Sequence, residues 1–74
     1  MAERFIDCLG EACPVPLVKV QKEIATMNAG DVLTVNIDHT CAMKNIPDWA
    51  RGQGYNVEIE ESGAGEWDVI IEKA

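Results

Sequence analysis

The sequence predicts an α/β (α+β) two-layer sandwich with the order βαβαββ: a four-stranded mixed sheet with two helices on one face. Three observations lead to this fold class. Gly and Pro residues divide the 74-residue chain into six short segments, with no repeat or linker between them. Two segments carry apolar residues at helical spacing, and four are short β-rich or alternating runs. A chain this short forms one domain, so residues 1–74 are expected to fold as a single unit.

The first half of the chain is predicted to form a βαβ unit. Residues 4–7 contain adjacent Phe and Ile and are expected to be a buried strand that ends before Gly10. From Leu17 to Met27 apolar residues recur at helical spacing, and residues 28–31 supply a stop. Residues 32–37 are β-rich and predict a second strand, which a right-handed crossover would place parallel to the first.

The second half begins with a predicted helix over residues 40–53. Met43, Ile46 and Ala50 lie on one helical stripe in this segment. Pro47 lies inside it and lacks a backbone donor, so a kink near residues 43–46, or a helix in two pieces, is expected.

The C-terminal segment is predicted to be a hairpin that turns at residues 62–65. Apolar and acidic residues alternate on both sides of this turn, which predicts one buried and one polar sheet face. The apolar members are Val57, Ile59, Trp67, Val69 and Ile71. Trp67 and the helical Trp49 are interpreted as packing residues.

Charge and cysteine content limit the function classes. Six basic and thirteen acidic residues give a net charge of −7, which disfavours direct nucleic-acid binding and predicts partners with basic patches. The N-terminal residues lack a signal-peptide pattern and no run is long enough for a membrane span, so a cytoplasmic protein is expected. Three irregularly spaced cysteines argue against a disulfide framework and for reduced thiols.

The segment Cys13-Pro14-Val15-Pro16 points most directly to chemistry. Proline suits the first helical turn, so the two prolines favour a rigid helix entrance directly after the thiol. The positive end of a helix dipole favours a thiolate and can lower a cysteine pKa from about 8.5. Gly10 can adopt positive φ and turn the loop so that Cys13 faces outward. The alternative is that Cys13 is a small buried hydrophobic residue.

These residues carry a family resemblance. Asp7, Gly10, Cys13, Pro14 and Pro16 resemble the signature of the TusA/SirA-like sulfur-carrier family. Similarity extends over nearly the whole chain, including the Asn-Ile-Pro step at residues 45–47 and the Gly-Tyr pair at residues 54–55.

The resemblance implies a two-layer βαβαββ fold and a function in sulfur relay. Cys13 would accept sulfane sulfur as a persulfide and pass it to a partner protein. The implied donor is a cysteine desulfurase or rhodanese, and the implied acceptor is another relay protein. The pathway stays open among tRNA thiolation, molybdenum-cofactor synthesis and sulfur oxidation, and selenium could replace sulfur. No cofactor is implied.

Cys8, Cys41 and His39 allow further roles at the predicted site. Cys41, or less directly Cys8, is a candidate resolving thiol that would attack the persulfide on Cys13, although a structural role is the simpler interpretation. Asp7 could accept backbone amides in an Asx-type turn. The three cysteines with His39 could form a zinc set, but their spacing lacks paired metal-binding knuckles, so no metal site is predicted.

A function of a different class also fits the fold. The domain could be a non-catalytic regulatory or protein-interaction module with an inert Cys13. An assignment as an enzyme therefore stays open between a sulfurtransferase-like carrier and this module.

Overall fold

A computed structural model gives the fold and describes residues 2–10, 15–38 and 40–74, without the side chain of Cys41. Six elements follow one another along the chain and confirm the predicted order βαβαββ. They are β1 (Glu3–Asp7), α1 (Val15–Ala25), β2 (Val32–Ile37), α2 (Thr40–Gly52), β3 (Asn56–Gly63) and β4 (Glu66–Glu72).

The four strands form one mixed sheet in the order β1-β2-β4-β3. β1 pairs with β2 in parallel, and β4 pairs antiparallel with both β2 and β3. The parallel pair requires a crossover, which α1 supplies, whereas β3 and β4 need only a tight turn. The predicted mixed sheet and closing hairpin are therefore confirmed.

The core lies between one face of the sheet and the two helices. Alternate residues of β2 and β4 are buried there and pack against the apolar stripes of α1 and α2. The fully buried side chains include Leu33, Val35, Ile37, Val69 and Ile71 from the sheet and Val20 and Ile46 from the helices. Trp49 and Trp67 are partly buried against this cluster, which confirms their interpretation as packing residues.

The prediction of a buried first strand is wrong for Phe5. Its side chain is 63% exposed, while the neighbouring Ile6 is half-buried against the core. β1 lies at the edge of the sheet, and strand alternation directs Phe5 to the face without helices.

Element ends differ from the expectations by one or two residues. α1 begins at Val15, two residues before the first residue of the predicted helical pattern, with Pro16 buried in its first turn. β3 continues through Ser62 to Gly63 with a register shift, so the hairpin turn is shorter than predicted. α2 is one helix that continues through Pro47, so the alternative of two pieces is wrong, whereas the kink stays a prediction. Within the described ranges, no helix has the length and apolar character needed to cross a bilayer.

Polar contacts attach the C-terminal half of α1 to the sheet. Arg4 on β1 forms an ion pair with Glu23, 2.9 Å between Nη1 and Oε1, and also donates to the hydroxyl of Thr26. Lys73, after β4, donates from Nζ to the carbonyl oxygens of Ile24 and Met27, both at 2.8 Å. The bonds from Lys73 supply a donor to one carbonyl in the last turn of α1 and to one directly after the helix, where carbonyls lack intrahelical partners.

A buried carboxylate fixes the start of the sheet. Asp31 precedes β2 and is only 6% exposed. Its two oxygens accept the backbone N–H groups of Ala2 and Asn28, each at 3.0 Å. These bonds hold the pKa of Asp31 below its ordinary value of 3.8. The bond from Ala2 makes the largest contribution to this lowering, and the bond from Asn28 the next largest.

We predict that Asp31→Asn destabilises the protein in a pH-dependent way. Because the folded-state pKa is lowered, ionised Asp31 contributes stability above its unfolded pKa, and this contribution is lost as pH falls through the folded pKa. Urea unfolding should show the largest difference from the parent above about pH 5 and a shrinking one below about pH 4.

The matched control is Asp48→Asn, which removes one carboxylate at an exposed position of α2. It should cost little stability across the same pH range. A destabilisation by Asp31→Asn that does not change with pH would contradict the assignment.

Candidate functional site

The carboxyl ends of β1 and β2 meet at one edge of the sheet. Because the two strands are parallel, Asp7 at the end of β1 pairs with Asn36 near the end of β2. The backbone N–H of Cys8 donates to the carbonyl oxygen of Asn36 at 2.8 Å and extends the ladder by one residue. The segments that leave these strands therefore start side by side, where open α/β structures collect ligands and reactive groups.

The Asx-type contact expected for Asp7 is present. Its Oδ1 accepts the backbone N–H of Leu9 at 3.0 Å, two residues along the chain. This bond turns the chain directly after β1 and directs it across the end of the sheet.

A second carboxylate holds the same turn from the neighbouring strand. Asp38 directly follows β2, and its Oδ1 and Oδ2 lie 3.1 and 3.0 Å from the backbone nitrogen of Gly10. Gly10 has φ of +77°, a conformation that side chains with a Cβ adopt only with strain. Asp38 thus links the loop after β2 to the loop that leads to Cys13.

The acceptor role of Asp38 is not predicted from the sequence. A carboxylate directly after a parallel strand is a signal that it lies at the shared edge, but its acceptor role depends on a contact between residues 28 positions apart. Pairing of the two strands brings these residues together, and no local pattern reveals it.

The structure describes the side chain of only one of the three cysteines. Cys8 is fully buried in the core cluster, with 0% exposure. Such burial limits contact between its thiol and any other protein. Cys13, Pro14, His39 and the side chain of Cys41 lie outside the described residues, so their predicted roles stay predictions.

The described residues fix both ends of the segment that carries Cys13. Gly10 anchors it on the strand side, and α1 begins at Val15, two residues after Cys13. Pro16 is buried in the first turn of α1 and anchors it on the helix side. The edge is accessible: Leu9 is 40% and Val15 is 43% exposed.

The described residues offer little to hold a metal. No group of three or more potential Cys, His, Asp or Glu ligands is found among them. The zinc alternative requires Cys13, His39 and the thiol of Cys41, which lie outside the described residues. It is therefore not tested.

Comparisons with known proteins agree on one family. The family model described as "Sulfurtransferase TusA" matches residues 4–73. A relative from Thermotoga maritima, "Putative sulfur carrier protein", is 38% identical over 69 residues, covering 92% of this chain and 87% of its own. An Escherichia coli K12 relative, "Putative sulfur carrier protein TsuB", is 31% identical over the full length of both chains. The crystal structure of a SirA-like protein from Desulfitobacterium hafniense matches with a TM-score of 0.86 at 36% identity, covering 93% of this chain and 95% of that chain.

This chain belongs to the TusA family. The match covers every strand and helix but the first residue of β1, so the family assignment rests on all six elements. The names of the family and of these relatives indicate a sulfur carrier.

We predict that Gly10→Ala costs about 1 to 2 kcal/mol in the free energy of unfolding, because an L-residue must take the left-handed conformation. Apart from its two chain neighbours, no heavy atom of the described residues lies within 4 Å of the added Cβ, so the cost comes from the backbone. Thermal or urea unfolding measures it. Gly52→Ala is the matched control, since this position also has open space but no positive φ. Equal effects of the two substitutions would contradict the role of φ at Gly10.

We also predict separate roles for the two carboxylates of the edge. Asp38→Ala should accelerate hydrogen exchange of the Gly10 amide by roughly fivefold, the value of one net hydrogen bond, and leave the Leu9 amide nearly unchanged. Asp7→Ala should do the reverse, so each variant is the control for the other. Amide exchange followed by NMR on the labelled chain makes the test. If either variant accelerates exchange of the Leu9 and Gly10 amides to a similar extent, the substitution destabilises the whole turn, and the two carboxylates do not have separate roles.

Proposed function

We propose that this protein is a sulfur carrier that accepts sulfane sulfur on Cys13 as a persulfide and transfers it to a partner protein. The observation that carries the proposal is the position of Cys13, in a Cys-Pro-x-Pro segment two residues before α1, in a chain whose family match spans residues 4–73. Asp7, Gly10, Pro14 and Pro16 have positioning roles in this proposal.

The transfer is a thiol exchange that needs no further reactant. The thiolate of Cys13 attacks the outer sulfur of a persulfide on the donor, R–S–SH. A new S–S bond forms at Cys13, the S–S bond of the donor breaks, and the donor leaves as its thiolate. The acceptor thiolate then removes the outer sulfur from Cys13 in the same way, which regenerates the Cys13 thiolate.

Two features of the described residues support this chemistry. The N-terminus of α1 follows Cys13 closely, and the unpaired N–H groups of a helix N-terminus favour a thiolate. The turn at residues 7–10, which precedes Cys13, is held by Asp7 and Asp38, so the chain enters the Cys13 segment from a fixed point.

The partners follow from the same chemistry. A cysteine desulfurase or a rhodanese supplies sulfur as a persulfide, and a second relay protein accepts it. Because the edge around Leu9 and Val15 is exposed, both partners would reach Cys13 by docking. We propose that the relay operates in the cytoplasm, where thiols remain reduced.

We predict that incubation with a cysteine desulfurase and cysteine adds one reductant-labile sulfur atom, measured by intact mass under non-reducing conditions. Cys13→Ser should abolish this gain. Cys8→Ala and Cys41→Ser are the matched controls and should retain it, because each removes one thiol elsewhere.

Two results would contradict the proposal. Sulfur gain that persists in Cys13→Ser would move the acceptor to another thiol. No gain with a competent donor, in a correctly folded sample, would favour the interaction module.

A slower release of sulfide from loaded Cys41→Ser than from the loaded parent would identify Cys41 as a resolving thiol.

A further inference from the structure

The helices leave one face of the sheet uncovered, here called the open face. Strand register arranges its residues in three rows that cross all four strands. The rows are Glu3-Val32-Glu72-Asn56, Phe5-Thr34-Ile70-Glu58 and Asp7-Asn36-Asp68-Glu60.

Apolar side chains occupy the centre of the open face. Phe5 is 63% exposed, and Val32 and Ile70 are half-buried. A shallow depression of about 200 Å³ is lined by Val32, Ile70, Asn56, Glu58 and Glu72. Phe5 lies on the same face without lining this depression, and exposed aromatic side chains are enriched at protein contact surfaces.

Basic residues are absent from the open face, whereas acidic residues, such as Glu23 on α1 and Asp48 on α2, occur on both sides of the sheet. The rows of the open face contain six carboxylates and no lysine or arginine. The basic residues all lie on the helix side of the sheet: Lys19 and Lys22 on α1, Lys44 and Arg51 on α2, and Arg4 of β1 and Lys73 after β4, which both bond to α1. The open face therefore has an apolar centre, formed by Phe5, Val32 and Ile70. Around this centre lies an acidic rim, formed by the six carboxylates of the three rows.

The rim is partly pre-organised. Asn56 donates from Nδ2 to Oε1 of Glu72 at 3.0 Å, and Asn36 donates to Oδ1 of Asp68 at 2.7 Å and to the hydroxyl of Ser62 at 3.2 Å. These bonds hold two carboxylates at fixed positions. A partner would lose less side-chain freedom on binding there than on a fully mobile surface.

We propose that the open face binds a partner protein through a basic amphipathic segment. Apolar side chains of that segment would cover Phe5, Val32 and Ile70, and its lysine or arginine side chains would lie over the rim near Glu58 and Glu72. A second copy of this chain does not fit, because it would bring two acidic rims and two chains of net charge −7 together.

The proposed contact area, in the two rows of the open face that contain Val32 and Ile70, is separate from the proposed sulfur chemistry. The depression lies near Val32, at the start of β2, whereas the edge that carries Gly10 and Asp38 lies at the opposite end of that strand. A partner held on the open face would leave that edge accessible. The inference does not require sulfur on Cys13, and binding should be unchanged in Cys13→Ser.

The test is an NMR titration of the isotope-labelled full chain with a synthetic peptide of alternating leucine and lysine. We expect shift changes at the open face, including Phe5, Val32, Ile70 and Glu72. Glu58→Gln/Glu72→Gln should weaken the affinity roughly threefold to tenfold, as expected for loss of two exposed charge pairs. Phe5→Ser should weaken it also in high salt, where charge attraction is screened.

The matched control is Asp48→Asn/Glu61→Gln, which removes the same charge at two exposed positions outside the open face. It should leave the affinity nearly unchanged. Equal weakening by both double variants, or shift changes on α1 and α2, would overturn the proposal. Binding of a leucine–glutamate peptide with similar affinity would also overturn it, as would concentration-dependent self-association through the open face.

Discussion

The parallel pairing of β1 with β2 is the constraint on which the candidate site depends. It brings Asp7 beside Asn36 and lets the two strands end at one edge. An antiparallel pair would separate the loop before α1 from the loop after β2 by the length of a strand. Asp38 can accept the Gly10 N–H only because both loops start at that edge. The hydrogen bond at Gly10 is thus a consequence of topology as much as of residue type.

The one-sided cover of the sheet has an equally large effect. Both helices pack on the face that contains Leu33, Val35 and Val69, and the hydrophobic free energy of folding comes from that layer. The other face can then carry carboxylates at little cost, because they remain hydrated. The molecule gains two surfaces with different composition, an edge where chain segments converge and an open face with an acidic rim.

Much of the fold can be predicted because its patterns are local. Alternation in residues 57–71 and the helical stripe through Ile46 and Ala50 identify buried faces without knowledge of the topology. The same patterns do not distinguish an edge strand from a central one, so adjacent Phe and Ile residues predict a buried strand although Phe5 is exposed. Strand order and helix placement decide that question, and both arise from contacts between distant residues.

The candidate site was predictable only in part, for the same reason. Asp7 and Gly10 act within their own loop, so their turn chemistry is visible in a short segment. The role of Asp38 and the burial of Cys8 depend on neighbours that are distant in the sequence. The Cys-Pro-x-Pro segment points to a reactive thiol through its residue types alone, because the thiol and the prolines that follow it are adjacent in the sequence.

The outer strand of the hairpin has a consequence for behaviour at high concentration. β3 is eight residues long and lies at an edge of the sheet, so one side of its backbone is a template on which another chain could add a strand. Glu58, Glu60 and Glu61 project from this strand and are exposed, and the register shift after Glu61 bends it. Two such edges repel each other and do not match in shape. The same glutamates therefore protect the protein against amyloid-like stacking, which a small domain with a long exposed strand would otherwise risk.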